Sequence, residues 1–193
     1  MGAIVASLFS MWRYDTTPAV IRPSPLQMPT EIGPPSARIA ILLMFLHPHC
    51  PCSRASVGEL ALLMTRCRGR LRAEVYFCRP AGVSSDWEKT DLWNRAAAIP
   101  GVHVISDIAG MKARRMNVRT SGETVLYSAD GHLLFHGGIT LARGHSGDNA
   151  GRAAIVSLIE TGRASRTTHP VFGCSLLGPP SQEKSGDNRN WTL

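Results

Sequence analysis

The stretch IAILLMFLHPHCPCS, residues 39–53, decides how the rest of the chain is read. Its first eight residues form an unbroken apolar run of strand length. Such a run suits a central strand covered on both faces. Two prolines, two histidines and two cysteines follow at once. Ser53 to Cys67 then carries Val57, Leu60, Ala61, Leu63 and Met64 at helical spacing, with Gly69 able to end the helix. The cysteines Cys50 and Cys52 therefore stand where a buried strand hands over to a helix. Unpaired backbone N–H groups gather there and favour an anion, so a thiol can ionise at neutral pH.

Downstream, LRAEVYFC (71–78) reads as a second strand, with Leu71, Ala73, Val75 and Phe77 on one face. Residues 86–98 look helical, capped by Asp86, with Trp87 and Trp93 as packing residues. VHVISD (102–107) is a third strand, and residues 108–117 give a short helix. ETVLYSADGHLLFHGG reads as a hairpin turning at Asp130-Gly131. Asp148 or Asn149 can cap a last helix over 150–161, which Gly162 ends. The order βαβαβαββα predicts one α/β domain with a central mixed sheet flanked by helices. Its boundaries are drawn at 38–163. Residues 1–37, rich in proline from Pro18 onward, form an N-terminal linker or an arm that wraps the domain. Residues 164–193 form a polar tail with one apolar island, HPVFGCSLL (169–177).

Composition narrows the function. The chain has 193 residues, 44% apolar and 18% charged, with a net charge of +7. One sizeable core is possible, hardly two. The positive charge permits attraction to anionic surfaces. However, no zinc-finger spacing, aromatic–basic interleaving or recognition-helix pattern accompanies it, so no nucleic-acid partner is expected. Arg66, Arg68, Arg70 and Arg72 read as a solvated face, with an acidic partner as the lesser reading. Five cysteines are too few for a disulfide scaffold. Residues 2–12, GAIVASLFSMW, fall short of the roughly 18 apolar residues a membrane span needs. They make a poor signal peptide, so a frayed or surface-packed start is expected, with membrane proximity left open. No nucleotide, flavin or haem motif appears and no cofactor is expected. The sequence fixes no oligomeric state.

Two chemistries fit the cysteine pair. In thiol exchange, Cys50 attacks a substrate disulfide and Cys52 resolves the mixed disulfide, with Cys174 a possible second resolver. The partner is then a thiol or disulfide protein or a small disulfide. His47 and His49 are candidates to support the thiolate or take a proton. In metal handling, His47, His49, Cys50, Cys52, His145, His169 and Cys174 offer soft or borderline ligands for copper or zinc, although their spacing matches no zinc pattern. A third reading is a binding module whose redox chemistry is lost; RGHSGDN (143–149), with Arg143, His145 and Asp148, either lines a site or forms the capping loop of the last helix. Cys67 and Cys78 read as buried structural thiols.

These features resemble the thioredoxin-like superfamily in element order and in a cysteine pair after the first apolar strand. More narrowly, HPHCPCSRAS (47–56), NVRTSGETVLYSADGHLLFHGGIT (117–140) and RGHSGDNAG (143–151) resemble the bacterial RedB-like group, over roughly residues 38–177. The resemblance implies a thioredoxin-like fold and redox chemistry. Members of that group often carry an N-terminal membrane anchor. The sequence as it stands reads as cytoplasmic, whereas the resemblance implies an extracytoplasmic or membrane-associated setting. The superfamily usually has a cis-proline before the strand that starts near Thr124. Here Ser121, Gly122 and Glu123 occupy that place, and Gly122 permits a close backbone approach. Peroxiredoxins also lack the proline and carry an arginine for which Arg119 is the candidate. Thiol peroxidase is thus a further alternative, although His47 replaces the threonine those enzymes place three residues before the reactive cysteine.

Overall fold

A computed structural model describes residues 2–33 and 39–176. The polar stretch 177–193 and the Pro34-Pro35 part of the arm lie outside the described residues. The chain forms α1 (Gly2–Thr16), β1 (Ala40–Leu46), α2 (Ser53–Arg66), β2 (Leu71–Arg79), α3 (Asp91–Ala97), β3 (Val102–Ile108), α4 (Met111–Arg115), β4 (Glu123–Tyr127), β5 (Leu133–Gly137), α5 (Ala150–Thr161) and β6 (Thr168–His169). The strands make one sheet in the order β3-β2-β1-β4-β5-β6. β1 runs parallel to β2 and antiparallel to β4, so the sheet is mixed, and β1 lies inside it. This is the single-domain thioredoxin-like α/β architecture that the pattern predicts.

Apolar residues on both sides of β1 explain its central position. Leu42, Met44 and Leu46 face the core under α2, α3 and α5, together with Leu60, Leu63, Leu92 and Ile155. Ile41, Leu43 and Phe45 face a second core with Tyr76, Val118, Val125 and Leu176. Each fully buried side chain of this kind contributes roughly 1.5–3 kcal/mol relative to exposure. Leu71, Ala73, Val75 and Phe77 share the first core, as their alternation indicates, while Tyr76 and Cys78 turn to the second.

Three expectations need correction. The apolar start is not frayed: it is the helix α1, whose Ile4, Val5, Leu8, Phe9, Met11 and Trp12 are exposed while its end at Tyr14 meets Arg143. Its large apolar residues stand at positions 4, 5, 8, 9, 11 and 12, the spacing of a single helical stripe, so periodicity alone could have marked the helix. No helix among the described residues is long and apolar enough to cross a membrane. The helix expected over 86–98 forms only at Asp91–Ala97, preceded by Thr90. Asp86 does not cap it but pairs with Lys89 at 2.8 Å. Glu88 is drawn fully inside to Ser106 and Arg79, and this diverts the chain ahead of α3.

The arm lies against the domain, which agrees with one of its two expected forms, an arm that wraps it. Residues 17–33 lack helix or strand but place Met28 and Ile32 in the second core. Isolated bridges join Ala19 to Val171 and Gln27 to His132. Finally, the beginning of the segment drawn as a tail is part of the sheet. Thr168–His169 is β6, parallel to β5, and Val171 and Leu176 are buried. Gly137 makes this approach possible, since a Cβ there would stand 2.4 Å from the His169 carbonyl oxygen.

Candidate active site

The loop 47–52 links the buried end of β1 to α2. Cys50 N–H donates to the His47 carbonyl (3.1 Å) and Ser53 N–H to the Cys50 carbonyl (3.1 Å). Cys52 occupies the cap position of α2 in helical conformation, so Cys50 sits just ahead of the helix start. Two hydroxyls brace the loop from below. Ser121 Oγ accepts from His47 N–H at 2.9 Å and lies 2.7 Å from Ser53 Oγ. The turn before β4 is held by Gly122, whose N–H donates to the Phe45 carbonyl at 2.8 Å. Gly122 has φ +89°, and a Cβ there would come within 2.7 Å of Ser56 Oγ. No cis peptide occurs among the described residues. A glycine with positive φ therefore brings this turn against the thiol loop where a proline is usual in the superfamily.

Beneath the turn, the buried Glu123 carboxylate accepts from Arg119 N–H (3.1 Å) and Thr120 N–H (3.3 Å). Its other oxygen meets His136 Nε2 at 2.7 Å. The turn presents a backbone edge that residues 173–176 cover. Ser121 N–H donates to the Cys174 carbonyl at 2.8 Å, and Leu176 N–H to the Arg119 carbonyl at 2.9 Å. This pairing places Cys174 Sγ 2.7 Å from Cys50 Sγ. The sulfurs of Cys50, Cys52 and Cys174 all lie within 4.8 Å of one another.

The three thiols differ in acidity. Burial pushes the Cys50 thiol up, but the Cys174 thiol and N–H, the Ser53 hydroxyl and the Cys52 N–H together outweigh it. The net pKa of Cys50 is below the ordinary thiol value. Burial raises Cys52, and the negative charge on Cys50 raises it further, against the pull of the Arg143 guanidinium. Cys174 is pushed up to about 12 by burial and by donating to Cys50. Of the three thiols Cys50 is therefore the most readily ionised, and Cys52 and Cys174 hold their protons more firmly.

Among the described residues no hydrogen bond joins the His47 or His49 imidazole to a cysteine sulfur. His47 Nδ1 accepts from His49 N–H at 3.2 Å, and burial followed by the charge of His49 lowers its pKa. Both rings pack edge-on against Trp87, at 5.6 Å and 4.5 Å between centroids, and His49 Nε2 contacts the Trp87 carbonyl. Trp87 is thus a packing residue of the loop itself. A recess of about 270 Å³ opens beside Cys50, lined by Pro48, His49, Pro51, Arg54, Thr90, Asp91 and Leu92.

Other candidates divide. Arg143 reaches the site: it donates to the Gly173 carbonyl, donates through Nε to the Tyr14 carbonyl at 3.0 Å, and stacks over the Tyr14 ring. His145 instead meets the Arg143 carbonyl, Asp148 pairs with Arg152, and Asn149 caps α5. His169 stacks on Phe135. The distant histidines therefore do not converge on the sulfurs. The three cysteines do, and a trigonal thiolate set suits a soft ion such as Cu(I). Arg119 contributes its backbone while its side chain is exposed. Cys67 and Cys78 are buried away from this centre. Arg66 and Arg70 pair with Glu160, and Arg72 with Glu74, within the chain. The Ser53–Ser121 brace had no distinguishing sequence signal, since it depends on a contact across 68 positions.

No protein-family model matches the chain, and no curated protein matches it. Solved structures share its fold. An uncharacterized conserved protein from Geobacillus kaustophilus aligns with TM-score 0.60 and 18% identity over 86% of this chain and 94% of that one. A hypothetical protein from Sinorhizobium meliloti aligns with TM-score 0.60 and 19% identity over 83% of this chain and 97% of that one. At these identities the likeness establishes the fold and leaves the chemistry to the site.

Proposed function

We propose that the chain is a thiol–disulfide oxidoreductase in which Cys50 is the nucleophile and Cys174 and Cys52 are resolving thiols. The carrying observation is the contact of the Cys174 and Cys50 sulfurs at 2.7 Å, with Cys52 beside them. The Cys50 thiolate attacks one sulfur of a protein or small-molecule disulfide. That S–S bond breaks, and the leaving thiolate takes a proton from solvent. Cys174 or Cys52 then loses its proton and attacks Cys50, releasing the second partner sulfur. Two electrons pass from the protein's thiols to the substrate. The quoted stretches at 47–56, 117–140 and 143–151 support a place in the RedB-like group.

Convergence of three sulfurs also favours a second reading, soft-metal binding by Cys50, Cys52 and Cys174. One experiment separates the two. Metal-free reduced protein is assayed for turnover of bis(2-hydroxyethyl) disulfide with dithiothreitol as electron donor. Under exchange, turnover is present, disappears in Cys50→Ser, and is inhibited by one equivalent of Cu(I). Absence of turnover, combined with tight binding of one Cu(I) that requires all three cysteines, would leave the metal reading in its place.

A further inference from the structure

Cys50 is only 4% exposed, and the sulfur that approaches it belongs to the chain's own segment 173–176. That segment is held as a strand is held by a sheet edge. Thr120 and Ser175 form an antiparallel bridge, flanked by the bonds Ser121 N–H to Cys174 O and Leu176 N–H to Arg119 O. Backbone pairing of this sort is indifferent to side chains, except where two backbones come too close for one. Here that place is Gly173: a Cβ on it would lie 1.9 Å from the Ser121 carbonyl oxygen. Arg143 donates to the Gly173 carbonyl and completes the hold.

We propose that the backbone edge Arg119–Ser121 is a docking edge for an extended polypeptide that carries a Gly-Cys pair, and that residues 173–176 are its resident occupant. This deepens the exchange reading and rests on it. An incoming segment whose cysteine is in a disulfide replaces the resident strand, pairs with Ser121 and Arg119, and sets its sulfur where Cys174 stood. The Cys50 thiolate forms a bond to that sulfur, and the other half of the substrate disulfide departs as a thiolate that is protonated by solvent. When the resident strand returns, the Cys174 thiol gives up its proton and attacks Cys50. The peptide is released as a thiol and the Cys50–Cys174 disulfide remains. Glycine is favoured before the substrate cysteine because a Cβ there meets the Ser121 carbonyl.

The test uses the full chain with Cys52→Ser and Cys174→Ser, which leaves Cys50 as the attacking thiol of the site. Two peptides, PVFGCSL and PVFACSL, are prepared as mixed disulfides with thionitrobenzoate, and release of the chromophore is timed at neutral pH. Bis(2-hydroxyethyl) disulfide serves as a small substrate free of backbone. The glycine peptide is expected to react about tenfold faster than the alanine peptide, the scale of a forced overpacking. Adding Gly173→Ala to the protein should loosen the resident strand and accelerate the glycine peptide further. Equal rates for the two peptides, with the small disulfide still reacting, would overturn the docking edge and leave exchange standing. A folded Gly173→Ala protein with no acceleration would overturn the resident role. If the small disulfide also fails to react at Cys50, the exchange reading falls and this inference falls with it. Should Gly173→Ala not fold, the peptide comparison on the parent protein still decides.

Discussion

Cys174 Sγ lies 2.7 Å from Cys50 Sγ across 124 positions of sequence, and the Ser121 N–H bond to the Cys174 carbonyl keeps it there. The contact makes Cys174 a donor that lowers Cys50, while burial first and then this donation push the Cys174 pKa up to about 12. Cys174→Ala should therefore raise the pKa of Cys50. A hydrogen bond to a charged group is worth about 1.5–3 kcal/mol, hence about one to two pH units. The midpoint of the pH-dependent alkylation of Cys50, followed by peptide mass spectrometry, reads this shift. An unmoved midpoint would show that Cys174 does not donate to the thiolate.

Arg143 opposes the upward shift of Cys52. Removing its charge while keeping its bulk, as in Arg143→Met, should raise the alkylation midpoint of Cys52. The comparison belongs in a Cys50→Ser background, where the competing charge on Cys50 is gone. The same substitution frees the Gly173 carbonyl and should leave residues 173–176 less protected in hydrogen exchange. Unchanged protection would mean that the backbone pairing alone holds the strand.

Gly122 combines φ +89° with a Cβ position 2.7 Å from Ser56 Oγ. Gly122→Ala should destabilise the fold by about 1–3 kcal/mol in denaturant titration. Ser56→Ala should recover the steric share only, leaving the cost of positive φ. Full recovery in the double variant would assign the whole effect to the clash.

Cys78 is 2% exposed, and burial, with Asp107 adding to it, pushes its pKa up to about 11. A thiol raised in the folded state contributes stability that is present below its unfolded pKa near 8.5 and is lost as pH climbs through the folded value. Between pH 8 and 11 this site should cost the fold on the order of 2 kcal/mol. Cys78→Ala should flatten that part of the pH–stability curve while lowering stability at pH 7 by about 1 kcal/mol. A curve of unchanged slope would clear Cys78 of the alkaline loss.

In its buried position Glu123 accepts from two backbone N–H groups and meets the His136 ring, which also contacts Ser24 Oγ. Glu123→Ala leaves the two backbone donors without the carboxylate and should cost about 3–5 kcal/mol. It should also detach the 119–122 turn from the thiol loop, seen as faster alkylation of Cys50 at saturating pH. Loss of stability without that acceleration would separate the anchor from the site.

Local pattern was enough to identify the sheet and its chemical focus. The run 39–46 is apolar on both faces, so only a central strand satisfies it. The Asp130-Gly131 turn and the Gly162 stop act within a few residues of themselves, and β4, β5 and α5 follow from them. The position of Cys50 and Cys52 ahead of α2 followed from the same adjacency. What the tertiary structure decided were the meetings between distant segments. His47 and His49 are candidates for proton handling by proximity in sequence, and the packing of both rings against Trp87 is a contact that no local pattern indicated. The helix expected from Asp86 is cut short because Glu88 finds Ser106 and Arg79 inside the fold. Residues 164–176 look like a tail by composition, yet backbone hydrogen bonds to Arg119 and Ser121 draw Cys174 onto Cys50. Hydrophobic period and turn chemistry are local and can be read along a chain. Backbone pairing carries no side-chain signature, so the sequence offered Cys174 only as a possible resolver, and its contact with Cys50 was decided where the strands meet.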